Sequence, residues 1–117
     1  MNTTINYAID LGTTNSVIAK CISGEVEIFK NPVGLRSVLP SIVAFKKGRV
    51  LVGDKAAELW EKSPSNVVGL FKRKMGTNES YFIESTSEFV TPIQLSSHVL
   101  KELKNFVYND DELNDVV

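Results

Sequence analysis

The residues best suited to chemistry lie in a short polar turn near the start of the chain. The segment "YAIDLGTTNSVIAK" ends an apolar run on Asp10 and continues with Gly12. Four small polar residues then follow, namely Thr13, Thr14, Asn15 and Ser16. A tight turn between two strands presents several backbone N–H groups on one concave side, and such nests bind anions. Because the four side chains add hydroxyl and amide donors, the turn predicts a site for phosphate oxygens.

Asp10 stands at the mouth of the same turn, where a carboxylate makes no useful contact with phosphate itself. It can hold Mg²⁺ through water, because this ion keeps much of its hydration and bridges carboxylates to phosphates. Gly12 lets a ligand approach the backbone closely. Together these residues predict a site for a magnesium nucleotide or another phosphate ester.

An ordinary hairpin turn is the alternative explanation, since turns rich in Gly, Thr and Asn are common. The turn is not a Walker loop, because no Gly-Lys-Ser/Thr follows it, and it also lacks the dinucleotide-binding fingerprint. The residue types alone leave the phosphate site and the plain turn equally open.

The basic segment "LFKRKMG" is a second candidate, with Lys72, Arg73 and Lys74 ahead of Gly76. Such cations can simply offset the dipole at the end of a short helix. A lysine that reached phosphates bound at the first turn would instead act as a point charge, stabilising charge that develops during transfer. The segment by itself favours the plain helix end.

Strands must position the turn, and the hydrophobic pattern predicts them. Residues 5–10 and 16–22 are expected to form a hairpin around the turn, and residues 25–29 a half-exposed third strand. "SIVAF" and "RVLVG" predict two more strands, followed by a helix that Asp54 caps. "SYFIE" and "SEFVT" predict a second hairpin, whereas "VVGLFKRKMG" predicts a short helix.

The clearest helix begins at "TPIQ", which fits a capping box with proline at the first helical position. Its apolar stripe comprises Leu95, Val99, Leu103 and Phe106. We expect this stripe to face elements that the chain does not contain, and we expect His98 on the opposite face to be solvated. The final residues "DVV" resemble the first residues of a strand, so we expect the sequence to be a piece of a longer protein.

Composition excludes several functional classes. The 117 residues are 43% hydrophobic and 23% charged, which is typical of one modest soluble domain. Lys and Arg number 13 against 14 Asp and Glu, so no strong field favours nucleic acid or anionic membrane as a partner. One cysteine and no recognisable signal peptide make a reducing, cytoplasmic setting the default expectation.

Taken together, these segments resemble the start of the DnaK-type heat-shock chaperones. "AIDLGTTNSVIA" is similar to that family's first phosphate loop, "LPSIVAF" to its Pro-Ser-strand segment and "VLVGDKAAE" to its Val-Gly-x-x-Ala segment. "LFKRKMG" and "QLSSHVLKELK" resemble its Lys-Arg segment and its first long helix. The first motif alone would admit actin-like proteins and sugar kinases, whereas the ordered set is specific. The short stretch between Gly76 and Thr91 resembles the HscC-like bacterial branch.

The resemblance implies an α/β fold, namely a partial actin-like ATPase (ribonuclease H-like) lobe with a mixed sheet and flanking helices. It implies ATP or ADP with Mg²⁺ as cofactors, Asp10 facing the metal through water and Lys72 as the catalytic lysine. The phosphate-binding residues that it implies are Gly12, Thr13, Thr14 and Asn15. "GLRSVLPS" departs from the family pattern by one additional residue, which leaves the shape of that loop open.

Residues 1–117 would then be the N-terminal part of the nucleotide-binding domain of a chaperone that couples ATP hydrolysis to binding and release of unfolded polypeptides. The rest of the ATPase domain and the peptide-binding domain would lie beyond them. Partners of the parent protein would be unfolded polypeptides and co-chaperones. A sugar-kinase-like or actin-like ATP-binding lobe is one alternative, and a stand-alone interaction module is another.

A single wall of a nucleotide cleft lacks the groups of the other wall, and both contribute to positioning and electrostatic catalysis. We therefore expect the isolated chain to bind ATP weakly or not at all, with negligible hydrolysis. We also expect it to self-associate through exposed apolar surface or an open sheet edge.

Overall fold

The hairpin around the polar turn opens the computed structural model, which describes residues 5–31 and 36–108. Strands β1 (Ile5–Leu11) and β2 (Asn15–Ile22) pair antiparallel, with Leu11 opposite Ser16 next to the turn. Strand β3 (Glu25–Ile28) and the two-residue β4 (Leu39–Pro40) both pair with β2 as well. The predicted hairpin and third strand are therefore confirmed.

A second sheet is centred on β5 (Ile42–Lys46), which lies between β6 (Arg49–Val52) and β7 (Val67–Gly69). Strands β8 (Tyr81–Ile83) and β9 (Glu88–Val90) form a separate hairpin, as predicted. Helix α1 (Asp54–Glu58) follows β6, and helix α2 (Pro92–Tyr108) follows β9. Single 3-10 turns cover Pro64–Asn66 and Phe71–Lys74. No helix among residues 5–31 and 36–108 is both long enough and apolar enough to cross a bilayer.

Helix α2 begins as its sequence predicts. The N–H of Gln94 donates to the Thr91 hydroxyl at 3.1 Å, and the N–H of Thr91 donates to the Gln94 side-chain oxygen at 2.9 Å. This reciprocal pair is the capping box, and it satisfies two donors that a helix start would otherwise leave unpaired.

The apolar stripe of α2 packs inside the chain, so the expectation that it faces absent elements is wrong. Leu95, Val99 and Leu103 are fully buried. They share one core with residues of the two larger sheets, of the Phe71 turn and of the β8–β9 hairpin, namely Ile18, Leu39, Val43, Phe71 and Ile83. The stripe finds these partners because β2, β5 and β8 present apolar side chains at matching positions.

Two further predictions are corrected. Asp54 does not cap α1, because the residue ahead of the helix is Gly53 and no side chain caps it; the Asp54 carboxylate accepts from Arg36 at 2.8 Å. The segment predicted as one short helix forms strand β7 and then the 3-10 turn, since Leu70 between them adopts a left-handed conformation with φ of 56°. The terminal "DVV" and part of the loop before β4 lie outside the described residues.

His98 is partly buried on α2 rather than solvated. Its ring meets Phe45 edge-on, with centroids 6.1 Å apart. Burial lowers the pKa of His98 below its ordinary 6.5, and the positive charge of Lys101 lowers it further. The neutral ring is therefore the form that the fold accommodates.

Exchanging Leu103 for alanine tests the buried stripe. Leu103→Ala is expected to lower the free energy of unfolding by about 2–5 kcal/mol, because it leaves a cavity in the core. Leu100 on the same helix is 38% exposed and supplies the matched control. Leu100→Ala should cost about 1 kcal/mol or less. Equal losses in chemical denaturation would contradict the packing described here.

Acidification should destabilise the fold through His98. The unfolded chain protonates this residue at a higher pH than the folded chain, so the unfolded state binds more protons between the two pKa values. The contribution of neutral His98 is present above about pH 6.5 and is lost as the pH falls towards the lowered folded-state value. Urea denaturation from pH 7.5 to 5.5 should therefore show a shallower loss of stability in His98→Gln than in the parent chain. Parallel pH profiles would disprove this assignment.

Candidate phosphate-binding site

The turn between β1 and β2 is closed by hydrogen bonds from Ser41, which lies between β4 and β5. We call residues 12–15 the Gly12 loop. The N–H of Ser41 donates to the Thr14 carbonyl at 2.8 Å, and the Ser41 hydroxyl donates to the Gly12 carbonyl at 2.9 Å. Two carbonyls of the loop are thus held by one residue.

Ser16 contacts the residue that holds the loop. Its hydroxyl oxygen lies 2.8 Å from that of Ser41, and the two residues are 0% and 2% exposed. Because the Ser41 proton goes to Gly12, Ser16 is the donor in the pair. The sequence grouped Ser16 with the phosphate donors, and that grouping is wrong, since its hydroxyl is buried and engaged with Ser41.

The amides of the Gly12 loop remain open. Among the hydrogen bonds of the described residues, none has the backbone N–H of Gly12, Thr13 or Thr14 as its donor. The side chains of Thr13, Thr14 and Asn15 likewise have no hydrogen-bond partner within that part of the chain. A turn that holds its Gly12 and Thr14 carbonyls in hydrogen bonds, and whose N–H groups at residues 12–14 donate to no described residue, can accept an anion.

Gly12 is required by the loop itself. A Cβ atom at this position would collide with the backbone carbonyl oxygen of Asn15. The sequence analysis interprets Gly12 as a residue that lets a ligand approach the backbone. The structure adds a second reason for glycine at this position, because the loop folds back on its own backbone there.

Asp10 lies at the end of β1, opposite Val17, and its side chain is exposed. Its carboxylate makes no ion pair or hydrogen bond with any described residue. Residues 5–31 and 36–108 also hold no cluster of three His, Cys, Asp or Glu side chains that could ligate a metal. A cation held by Asp10 would therefore draw its other ligands from water and from the bound anion.

The Lys72 segment begins beside the residues that hold the loop. Strand β7 pairs antiparallel with β5, and Gly69 at its end lies opposite Ile42, the neighbour of Ser41. The 3-10 turn starts two residues after Gly69 and is anchored by Phe71, which is 1% exposed. The sheet register thus places the two candidate segments at the same end of β5.

Within the 3-10 turn Lys72 and Lys74 differ. Lys74 forms an ion pair with Glu79 at 2.9 Å, and the hydrogen bond and charge of Glu79 raise the pKa of Lys74. Lys72 is exposed, and its ammonium has no ion-pair partner among the described residues. Lys72 is therefore available to an anion, whereas Lys74 is engaged.

Ser41 is the site residue that sequence reasoning missed. The signal was present as a small polar residue at the first position of the apolar segment "SIVAF", directly after proline. A buried hydroxyl at the start of a strand needs a partner, and the open carbonyls of a nearby turn supply one.

Comparison with known proteins identifies the family. A family model described as "Hsp70 protein" matches residues 7–113. The chaperone protein DnaK of Thermotoga petrophila is 46% identical over 99 residues, which cover 83% of this chain and 16% of that protein. The DnaK of Mycoplasmopsis synoviae is 36% identical over 102 residues, covering 87% of this chain and 16% of that protein. The chain thus spans about a sixth of the length of these curated relatives.

These matches confirm the resemblance to DnaK-type chaperones but do not test the finer likeness to the HscC-like branch. The mixed α/β fold is that of a partial actin-like ATPase lobe, as expected. The family model covers most of the chain, including the Gly12 loop and the Lys72 segment, and both relatives exceed a third identity. The chain therefore belongs to the Hsp70 family.

Proposed function

We propose that the chain forms the N-terminal part of the ATP-binding domain of a molecular chaperone that couples ATP hydrolysis to binding and release of unfolded polypeptides. The backbone N–H groups of Gly12, Thr13 and Thr14, which donate to no described residue, are the observation that carries this proposal. Family membership supports it over a sugar kinase lobe or a stand-alone interaction module.

Each site residue has a role in this proposal. The Gly12 loop would bind the phosphates of ATP or ADP through its amides and through the side chains of Thr13, Thr14 and Asn15. Asp10 would hold Mg²⁺ through water, which fits an exposed carboxylate that has no partner among residues 5–31 and 36–108. Bound Mg²⁺ would supply positive charge that offsets the charge of the phosphates.

Lys72 is the proposed catalytic lysine. Its ammonium has no ion-pair partner in the described part of the chain, and the sheet register places its segment beside Ser41; both observations support this role. A lysine in that position would stabilise negative charge that develops as phosphate is transferred to water. Lys74 is less suited to the task, because Glu79 already neutralises it.

The isolated chain is proposed to supply only one wall of the nucleotide cleft, with weak binding and negligible hydrolysis as the result. Unfolded polypeptides and co-chaperones are the partners proposed for the parent protein, in the cytoplasm. A formal net charge of −1 supports neither nucleic acid nor a membrane surface as a partner.

Self-association remains a proposal for the isolated chain, but through a different surface from the α2 stripe. Val26 and Ile28 on β3 are 71% and 48% exposed, and Phe82 and Phe89 on the second hairpin are 51% and 66% exposed. Light scattering at high protein concentration should show a mass above that of one chain. Val26→Ser combined with Ile28→Ser should reduce that mass if β3 carries the contact. A clean monomer at all concentrations would refute self-association.

Titration with Mg-ADP tests the proposed nucleotide site. Backbone amide NMR signals of the Gly12 loop should shift with a dissociation constant of about 1 mM, since few contacts to one wall yield only about 4 kcal/mol of binding free energy. Gly12→Ala should abolish these shifts, because the added methyl displaces the Asn15 carbonyl. Gly76→Ala is the matched control, since Gly76 has φ of 81° and open space around it, so the substitution strains the backbone outside the loop.

Two results would contradict the proposal. Absence of loop shifts at about 20 mM Mg-ADP, some twentyfold above the expected dissociation constant, would refute the phosphate site. Micromolar affinity in isothermal titration calorimetry would refute the idea that the chain supplies only one wall.

A further inference from the structure

The buried hydroxyl of Ser41 controls the direction in which the Gly12 loop presents its donors. In a trans peptide, the C=O of one residue and the N–H of the next point in opposite directions. The described part of the chain has no cis peptide bond. Because Ser41 holds the Gly12 carbonyl towards the core, the N–H of Thr13 points away from Ser41.

The hydrogen bond from the Ser41 N–H acts in the same way on the peptide that joins Thr14 and Asn15. The N–H of Ser41 holds the Thr14 carbonyl at 2.8 Å, which orients the peptide plane between Thr14 and Asn15. Two peptide planes of a four-residue loop are thus set by one residue, and Gly12 provides the space in which the loop can close.

We propose that Ser41 is a positioning residue for phosphate binding, which fixes the Thr13 N–H on the open side of the Gly12 loop. This inference rests on the proposed function. Ser16 supports it by donating to the Ser41 hydroxyl, which leaves the Ser41 proton directed at Gly12. Ser41 itself need not contact the ligand, because its hydroxyl and its N–H are both engaged.

Ser96 is a second buried serine, and it provides a comparison because its hydroxyl contacts a side chain outside the Gly12 loop. Ser96 on α2 is 4% exposed, and its hydroxyl lies 3.4 Å from the sulfur of Met75. It makes no contact with a carbonyl of the Gly12 loop among the described hydrogen bonds. Ser96→Ala therefore removes a buried hydroxyl of similar exposure without touching the loop, and it is the matched control.

The experiment measures loop order and ligand binding separately. In Ser41→Ala, the ¹⁵N order parameter of the Thr13 N–H is expected to fall from about 0.85 to below about 0.6. The dissociation constant for Mg-pyrophosphate should rise about tenfold, the effect of losing one well-made hydrogen bond. Ser96→Ala should change neither quantity, whatever its effect on stability.

Two further variants keep the test decisive if Ser41→Ala folds poorly. Ser41→Thr retains both donors and should preserve the order of Thr13. Ser16→Ala removes only the donor to Ser41 and should give a smaller change than Ser41→Ala, about threefold in the dissociation constant. A graded response in this order supports a positioning role.

Unchanged Thr13 order and unchanged pyrophosphate affinity in Ser41→Ala would overturn the inference and leave the proposed function standing. Loss of affinity in Ser96→Ala equal to that in Ser41→Ala would overturn it too, since general destabilisation would then explain both. Failure of the parent chain to bind Mg-pyrophosphate would overturn the proposed phosphate site on which the inference rests, and the relaxation data would then decide the role of Ser41 in loop order alone.

Discussion

The hydrogen bonds of Ser41 to the Gly12 loop are the interaction on which the candidate site depends. A polar turn at the end of a hairpin has many conformations of similar energy, and most of them direct some carbonyls towards the ligand side. Carbonyl oxygens repel an anion. Turning them away from the ligand side therefore matters as much as presenting N–H groups there. Ser41 is 29 residues away from Gly12 in the sequence, so the site exists only once the two sheets have come together.

The same junction explains how the rest of the fold is organised. The segment of β4 and β5 pairs with β2 through Leu39 and Pro40 and then continues into the second sheet at Ile42. Leu39 is 1% exposed and joins the core beneath the loop. Gly69 on β7 pairs with Ile42, and the Trp60 ring packs over Gly69. The Gly12 loop and the cationic turn are thereby supported by one strand.

The sequence predicts those features that local rules determine. The β1–β2 hairpin follows from apolar runs around a polar turn, and the Thr91–Gln94 capping box from residue types at fixed spacing. Features that depend on residues far apart in the sequence are not predicted correctly. The residue type of Ser16 suggests a phosphate donor, but its hydroxyl is engaged with Ser41, 25 residues away. The residue type of Asp54 suggests a helix cap, but its carboxylate accepts a hydrogen bond from Arg36. The sequence predicts one helix for the segment around Lys72, whereas pairing of Val67–Gly69 with β5 extends its first part, and only Phe71–Lys74 forms a 3-10 turn.

The position of α2 in the chain also has a consequence for synthesis on the ribosome. Leu95, Val99, Leu103 and Phe106 fill the space that β2, β5 and β8 leave between them, and they are the last fully buried core residues to be translated among those described. Until α2 emerges from the exit tunnel, the apolar side chains of Ile18 and Val43 lack their cover. Nascent chains that stall before this helix would therefore present an unfinished core, the kind of surface that chaperones themselves bind.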